Sequence, residues 1–455
     1  MKLLWNEIQK LMNRRGLILL LVLLMLSPVG YGMFVRRANP AAEPENWRAT
    51  LQDTMRQLQP VVSKITGEFD TLDADTQSAL LEYEVCKYAL MHEISNSDWR
   101  KTLIDQVVYA NLTGEESDYA NLREIVEQNN WREYLEIQDS QCRARQAEYG
   151  QNTYGHDAER IYHEKIQMQL KYNIPPNADE WRAQQLNQWM TDRISLLRAQ
   201  WYGEVDAQDY LTDAQCQSIR NRVAEAEYRI DRNIPPYTIN STENFLLNAE
   251  VLYVTVLLVA ILLVCTAVHT EYTCNTLLPL YCNPISRNRL MGAKYFASMV
   301  IAIVYYIALM GCTIVMGLTL FSNNGFADYL TVYDGVVYAT PFFGHATQVM
   351  GLRVIETALF ALTAYALALD IRTPSIAMCI SLAFVALTVN APKLFSVVWT
   401  NSARWIPFLS FNFVQYLKGT LIANGLSIPF SITIDLIFAF LLLIFSAWTV
   451  KKAEV

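Results

Sequence analysis

The chain has 455 residues, 52% of them hydrophobic, and a formal net charge of −8 at pH 7. Residues 37–244 hold 21 Lys and Arg against 35 Asp and Glu, a net of −14, whereas the remaining residues hold 15 against 9, a net of +6. An acidic block between apolar segments excludes a single compact soluble core, and it disfavours nucleic acid as a partner because that requires a basic face.

Residues 1–15 predict an amphipathic helix. Charged side chains lie away from its apolar face, and they are Lys2, Glu7, Lys10 and Arg14. The pattern is typical of a helix that lies in the cytoplasmic interface of a membrane. A basic flank that only sets topology is the alternative interpretation.

Residues 16–35 predict the first transmembrane helix, because an apolar stretch of this length crosses about 30 Å of hydrocarbon. A signal peptide is the alternative. The run is longer than a usual signal core, and it leads into Arg36 and Arg37 without an Ala-x-Ala cleavage site. We therefore expect the helix to remain in the mature protein.

The acidic block, residues 37–244, predicts a helical domain. Apolar residues recur at spacings of three and four, as in the set Cys216, Ile219, Val223, Ala226 and Ile230. Such stripes are the cores of packed helices. Almost no alternation typical of strands occurs in this block.

Two short patterns recur in the acidic block. A polar residue precedes Trp-Arg at four places, and these residues are Asn46, Asp98, Asn130 and Glu180. The Asn and Asp residues are expected to cap helices that have the Trp in their first turn. The sequence Asn-Ile-Pro-Pro occurs at 173–176 and at 233–236, each time after an apolar stripe. Stacked helical hairpins account for both patterns, and chance recurrence in a Trp-rich domain is the alternative.

Three cysteines lie in the acidic block: Cys86, Cys142 and Cys216. An odd number excludes a closed disulfide framework, although one bridge remains open. The eight cysteines of the chain are interpreted as structural, because no spacing is typical of a zinc site. No nucleophile–base pair or metal-ligand set occurs, so we predict no catalytic, cofactor-binding or metal-binding residues.

Residues 245–455 predict five further transmembrane helices, at 245–268, 294–321, 352–369, 375–394 and 427–450. Lys and Arg in four short flanks fall on one side of six alternating spans, which places both termini in the cytoplasm and the acidic domain outside. Arg36, Arg37 and Arg404 fall on the opposite side. The predicted fold is all-α, a polytopic cell-membrane protein in contact with lipid, with six transmembrane helices and a large helical extracytoplasmic domain between the first two.

The loop between the second and third spans, residues 269–293, carries a motif that extends into the third span. Its members are Glu271, Thr276, Pro284, Ile285, Ser286, Arg287 and Lys294. This pattern resembles the permease subunits of the type-2 ATP-binding-cassette exporter family, in which a Glu, a Gly-Thr, an apolar turn, Pro-Ile-Ser-Arg and a Lys follow one another. The chain departs from the family at Asn275, where the family usually has Gly.

The resemblance implies a function and partners. In the family this loop is a coupling helix that transmits ATPase motion to the membrane, and a connecting loop without that role is the alternative. The chain has no Gly-x-x-x-x-Gly-Lys-Ser/Thr sequence, so ATP is expected to be used by a separate cytoplasmic subunit, with no cofactor on this chain. A second permease copy, as homodimer or heterodimer, and a bacterial source are also implied. The large insert is similar to the subset linked to peptide-antibiotic export and immunity.

Three charged residues in the predicted spans are candidates for lining a transport path: Asp435, Arg353 and Glu356. A charge at mid-bilayer costs about 2.5–3.5 kcal/mol on insertion scales, so such residues face a partner or water. Arg353 and Glu356 are three residues apart and can instead pair with each other.

The first functional hypothesis is the membrane subunit of an ATP-driven exporter. The acidic balance of the outer domain favours cationic partners. Together with the family resemblance, this implies a cationic antimicrobial peptide as the substrate class, and acid that only keeps an exposed domain soluble is the alternative interpretation. The alternative is a transport-inactive sensor or scaffold that binds a ligand outside and signals to a cytoplasmic ATPase. A membrane enzyme is disfavoured by the missing catalytic residues.

Overall fold

The computed structural model describes residues 2–39, 46–114, 119–177, 179–203, 210–273, 286–323, 325–371, 373–398, 411, 413–414 and 428–452. The chain divides into two compact units. The first, here called the apolar unit, comprises Met1–Ala41, Tyr237–Thr331 and Tyr338–Val455. The second, the acidic unit, comprises Ala42–Pro236 and Val332–Val337. The segment 237–244, predicted as part of the acidic domain, therefore belongs to the apolar unit.

Helices make up nearly all of the regular structure. In chain order they are α1 Lys2–Met12, α2 Arg15–Met25, α3 Ser27–Ala38, α4 Trp47–Val62, α5 Ala74–Met91, α6 Lys101–Thr113, α7 Ala120–Glu127, α8 Trp131–Glu148, α9 Tyr154–Tyr172, α10 Trp181–Tyr202, α11 Asp213–Arg232, α12 Thr242–Asn248, α13 Tyr253–Thr273, α14 Arg287–Leu320, α15 Phe342–Asp370, α16 Pro374–Val398 and α17 Ile428–Lys452. Short 3-10 turns precede α5 and α13. The predicted all-α class is confirmed.

One β-hairpin interrupts the helices, formed by β1 Tyr329–Tyr333 and β2 Val336–Thr340. Its two-residue turn has Asp334 and Gly335 at φ of 50° and 76°. Both values are positive, which is the geometry that the right-handed twist of paired strands favours.

Five stretches of the described residues are long and apolar enough to cross a membrane: Arg15–Ala38, Thr242–Thr270, Asn288–Leu320, Phe342–Asp370 and Ile432–Val450. A shorter apolar stretch, Pro374–Ala386, lies in α16. Helix α15 begins ten residues before the predicted span 352–369. The count of six spans stays a prediction.

Helix α13 lies at the centre of the apolar unit and packs against α14, α15 and α16. Most of its side chains are buried, including Val256, Leu263 and Val268 at 0% exposure, although Val254 near its start is 49% exposed. A helix that is apolar all round requires such a position. The continuous stretch α2–α3 is the opposite case, since Leu19 and Phe34 are exposed at 64% and 69%. Exposed apolar side chains of this kind suit contact with lipid.

Helix α12 meets the C-terminal end of α14 at very short range. A Cβ atom on Gly317 would lie 3.2 Å from both Phe245 Cδ1 and Thr242 Cγ2. The Thr242 amide donates to the Ser322 carbonyl oxygen at 2.8 Å, which fixes the start of α12. A methyl group at 317 would require Phe245 or Thr242 to shift by a few tenths of an ångström, so glycine suits the close packing of the two helices.

The acidic unit contains two main hydrophobic cores. One lies among α5 to α8 and includes Ile104 and Val126, and the other lies among α9, α10 and α11 and includes Leu186 and Trp189. A small cluster around Cys142 contains residues of both α8 and α9. This arrangement is that of packed helical hairpins.

The predicted caps are confirmed at two Trp-Arg sites and wrong at the third. Asn46 accepts from the Ala49 amide and Asn130 from the Glu133 amide, so α4 and α8 both begin at the Trp. Asp98 instead holds the Arg100 guanidinium at 2.7 Å, and α6 begins only at Lys101. The local ion pair outcompetes the cap.

The two Asn-Ile-Pro-Pro segments end α9 and α11 in the same way. Asn173 and Asn233 both have φ of 55°. The following Ile amides donate five residues back, Ile174 to Gln169 at 2.8 Å and Ile234 to Arg229 at 2.9 Å. Both ends are Schellman motifs, in which the left-handed residue satisfies the last carbonyl groups of the helix.

The three cysteines of the acidic unit are free thiols. Cys86 and Cys142 are buried, and Cys216 is partly exposed. The bridge that the sequence left open is not formed.

Candidate functional site

The predicted coupling loop, residues 269–293, overlaps the ends of two helices, because α13 extends to Thr273 and α14 already begins at Arg287. Ser286 precedes the helix in an extended conformation and is exposed. Lys294 lies two turns further on and is only 1% exposed. Its ammonium donates to Glu7 Oε2 at 3.1 Å and to the Ala267 carbonyl oxygen at 3.2 Å. The motif lysine therefore joins the helices on both sides of the loop to the N-terminal helix.

Glu7 is the partner that sequence reasoning missed. The amphipathic pattern placed it away from the apolar face of α1, yet it is 3% exposed and lies one turn from the buried Leu11. Its second oxygen accepts from Lys10 Nζ at 2.8 Å. A carboxylate on this face is compatible with burial because Lys294 neutralises it.

A second contact attaches the end of α1 to the same place. The Arg14 guanidinium donates to Thr270 Oγ1, in the last turn of α13. The N-terminal segment is thus bonded to the last turn of α13 through Arg14 and to α14, near its start, through Glu7. The loop cannot shift its two ends independently of α1 without breaking a charged contact.

The remaining motif residues are described less fully. Thr276, Pro284 and Ile285 lie outside the described residues. Glu271 lies in the last turn of α13 and Arg287 begins α14, with the backbone of each described as helical and the side chains outside the description.

A second charged cluster lies within α15. Arg353 Nη1 is 2.5 Å from Glu356 Oε2, and the two side chains are 10% and 1% exposed. The Glu250 carboxylate lies 3.7 Å from the same guanidinium, and it comes from the turn before α13. Two carboxylates and one guanidinium give a formal charge of −1. Residues 353 and 356, suggested as a local pair from their spacing, do contact each other.

The cluster is held from several directions. The Arg353 guanidinium lies 4.3 Å from the centre of the Tyr253 ring, which is a cation–π distance. The Tyr253 hydroxyl donates to the Arg353 carbonyl oxygen at 3.1 Å. The Val414 amide donates to Glu356 Oε1 at 3.3 Å. Glu250, like Arg353, is a charged residue within a predicted transmembrane span. It could therefore have been named as a candidate from the sequence, but it was not.

An apolar cavity of about 190 Å³ lies beside this cluster. Its walls come from α12 to α15 and include Leu309, Met310 and Phe342, with Glu250 and Arg353 at the boundary. The geometry accepts an apolar group, and the net negative charge at the wall favours a positive charge next to it.

Asp435, the third candidate, lies in α17 and is 1% exposed. Most of α17 faces outward, as the exposed Leu436 and Phe440 show. The helix packs against α14 and α15. The one carboxylate of α17 is therefore turned toward protein, as is expected of a charge in an apolar helix.

These features define a multi-pass helical membrane protein. The chain belongs to the ABC-2 family of transporter proteins, which it matches over residues 1–450. It is similar to the uncharacterized protein YhcI of Bacillus subtilis (strain 168), at 23% identity over 232 residues that cover 50% of this chain and 74% of the relative. No solved structure matches. The family resemblance drawn from the loop is thus confirmed.

Proposed function

We propose that this chain is the membrane subunit of an ATP-driven exporter that moves its substrate outward with a separate cytoplasmic ATPase. The family consists of membrane transport subunits, which supports the permease role. The observation that carries the finer proposal is the Glu7–Lys294 contact, because it connects α1 to both flanks of the loop. Two permease copies enclose the path, both termini are cytoplasmic and the source is bacterial.

The mechanism follows from these connections. The ATPase binds the loop through Glu271, Thr276, Pro284, Ile285, Ser286 and Arg287. Movement of the loop displaces the end of α13 and the start of α14 together, and Lys294 carries α1 with them. A buried charged contact suits this role because separating it is costly, so the elements move as one.

We propose a cationic antimicrobial peptide as the substrate class. The net of −14 in residues 37–244 attracts cations from solution, an effect that salt screens. The apolar cavity with its negatively charged wall suits a peptide that combines apolar and basic side chains. Arg353, Glu356 and Asp435 then line the path.

The first experiment tests ATPase coupling. The double substitution Ile285→Asp with Arg287→Glu should abolish the complex with the ATPase and its substrate-stimulated hydrolysis, because it places acid on the docking surface. Thr373→Asp is the matched control, since it adds an acid to the exposed start of α16, and it should preserve both. Unchanged hydrolysis in the double variant would contradict the proposal.

A second experiment separates export from sensing. The acidic unit has its own hydrophobic cores, as a ligand-binding sensor also would. Efflux of a labelled cationic peptide from reconstituted vesicles should require ATP, and peptide binding should weaken as salt rises. A deletion that joins Arg37 to Thr242 by a short linker should remove protection of cells from the peptide. ATP-stimulated signalling without efflux would favour the transport-inactive sensor.

A further inference from the structure

The acidic unit contains a cavity of about 450 Å³ among α8, α9 and α10. This volume is within the range of small-molecule sites, roughly 300–1,000 Å³. The cavity lies between the helices of one folded unit and is distinct from the loop and from the cluster around Arg353. The residues that line it decide what it can hold.

Two of the charges in the cavity neutralise each other. The Arg145 guanidinium binds Glu159 with two contacts, Nε to Oε1 at 2.9 Å and Nη2 to Oε2 at 3.1 Å. The same guanidinium also lies 3.2 Å from Cys142 Sγ. This bidentate geometry is the strong form of the pair, so Arg145 is largely committed to Glu159.

Lys165 supplies the remaining charge of the lining. Within the described residues, its ammonium makes no hydrogen bond and no ion pair. Burial lowers the pKa of Lys165, since the charged form loses water and gains no anion in return. An anion that entered the cavity would remove this penalty. Because Arg145 is paired with Glu159, the formal charge of the lining is that of the Lys165 ammonium, although the domain around it is strongly acidic.

The other walls set the shape of the ligand. Leu135, Ile166 and Ala183 give an apolar surface, and Gln138, Gln169 and Asn187 provide amide groups. Inorganic phosphate would leave the apolar surface unused, and a cation would face Lys165 directly. The combination suits an organic molecule with an apolar body and one negative group.

We propose that this cavity binds a small organic carboxylate, with the carboxylate on Lys165 and the apolar body against Leu135 and Ile166. The inference does not depend on the export function. It also runs against the net charge of the domain, which on its own would suggest only cationic ligands.

The test uses the full chain in lipid nanodiscs and para-fluorobenzoate as the probe, observed by fluorine NMR. Lys165→Met removes the charge and retains the apolar stem, and it should weaken binding by about tenfold or more. Lys171→Met is the matched control on the same helix, because Lys171 does not line the cavity, and it should bind as the wild type does. Comparison of the variants removes the contribution of partitioning into lipid.

Neutral and cationic analogues check the charge preference. Para-fluorobenzamide and para-fluorobenzylamine should bind at least about tenfold more weakly than the carboxylate. Equal binding of the amide, equal binding to Lys165→Met, or no saturable binding of para-fluorobenzoate would each overturn the proposal.

A measurement on the wild type avoids any dependence on how the variants fold. Trinitrobenzenesulfonate modifies lysines in their neutral form, and mass spectrometry locates the modified residues. Para-fluorobenzoate should slow the modification of Lys165 severalfold and leave that of Lys171 unchanged. Equal rates at Lys165 with and without the probe would contradict the proposed binding.

Discussion

Two buried charged pairs among the described residues of the apolar unit differ in how far apart their members lie in the chain. Glu7 and Lys294 are 287 residues apart and connect α1 to α14. Arg353 and Glu356 are three residues apart within one turn of α15. The Arg353–Glu356 contact is made within one helix, although Glu250 from the turn before α13 also faces Arg353. The Glu7–Lys294 contact instead determines where α1 lies. A charged contact thus allows burial of Arg353 and Glu356 in α15, whereas the contact of Glu7 with Lys294 holds two helices together.

The largest expected effect is the loss of Lys294. Lys294→Met leaves Glu7 buried without its main cation, and removing one partner of a buried pair costs about 3–5 kcal/mol. Lys10→Met is the control, because its side chain is 52% exposed and such a contact contributes about 1 kcal/mol or less. Reversible unfolding in detergent measures both. If Lys294→Met and Lys10→Met lowered the free energy of unfolding equally, the buried Glu7–Lys294 contact would contribute no more than the exposed one.

A somewhat smaller effect is expected at Arg353. Arg353→Met leaves two carboxylates together and should cost about 3 kcal/mol, and adding Glu356→Gln should recover most of it, since the amide keeps an acceptor for Val414. The corresponding double variant, Glu7→Gln with Lys294→Met, should recover stability but not substrate-stimulated hydrolysis by the ATPase. If both double variants restored hydrolysis equally, the contrast between the local and the distant pair would be wrong.

The smallest effect extends the comparison to a buried carboxylate in the acidic unit. Asp139 contacts His163 Nδ1 at 2.5 Å and also pairs with Arg143. Burial alone would raise the pKa of Asp139, but hydrogen bonds from Gln167, Arg143 and His163 outweigh it and hold the pKa below its usual value. Asp139→Asn should therefore cost about 1–2 kcal/mol near pH 7.

The pH dependence follows from the sign of that shift. Because the pKa of Asp139 is lower in the folded state than in the unfolded state, its carboxylate stabilises the fold at any pH above the unfolded-state pKa of about 3.9. This stabilisation is lost as the pH falls through the folded-state pKa. As the pH is lowered, the protection of α8 and α9 from hydrogen exchange should fall less steeply in Asp139→Asn than in the wild type. Asp53→Asn should leave this pH dependence unchanged, because the Asp53 side chain is 64% exposed. The same pH dependence in Asp139→Asn as in the wild type would exclude Asp139 as a source of the acid-dependent loss of stability.

The same contrast explains how much of the molecule the sequence predicts. The caps at Asn46 and Asn130 follow from hydrogen bonds that span three residues, and these predictions were confirmed. The cap at Asp98 was wrong because a neighbour two residues away, Arg100, offered a stronger partner. The hairpin was missed although Asp334-Gly335 between Tyr and Val residues is typical of one.

The site divides in the same way. The contact between Arg353 and Glu356 follows from spacing on one helix. Burial of Glu7 could not be predicted, because its polarity on α1 indicates exposure until Lys294 is known to lie opposite. The Lys165 cavity requires three helices to be in place, and no local pattern in α9 indicates it.

The Glu7–Lys294 contact also has a consequence for biosynthesis. Chains grow at about 5–20 residues per second, so Lys294 emerges roughly 15–60 s after Glu7, which lies 287 residues earlier. During that interval α1 has neither the Lys294 ammonium nor the surface of α14. Helix α1 therefore reaches its final place only after α14 has been made, and until then water solvates the Glu7 carboxylate.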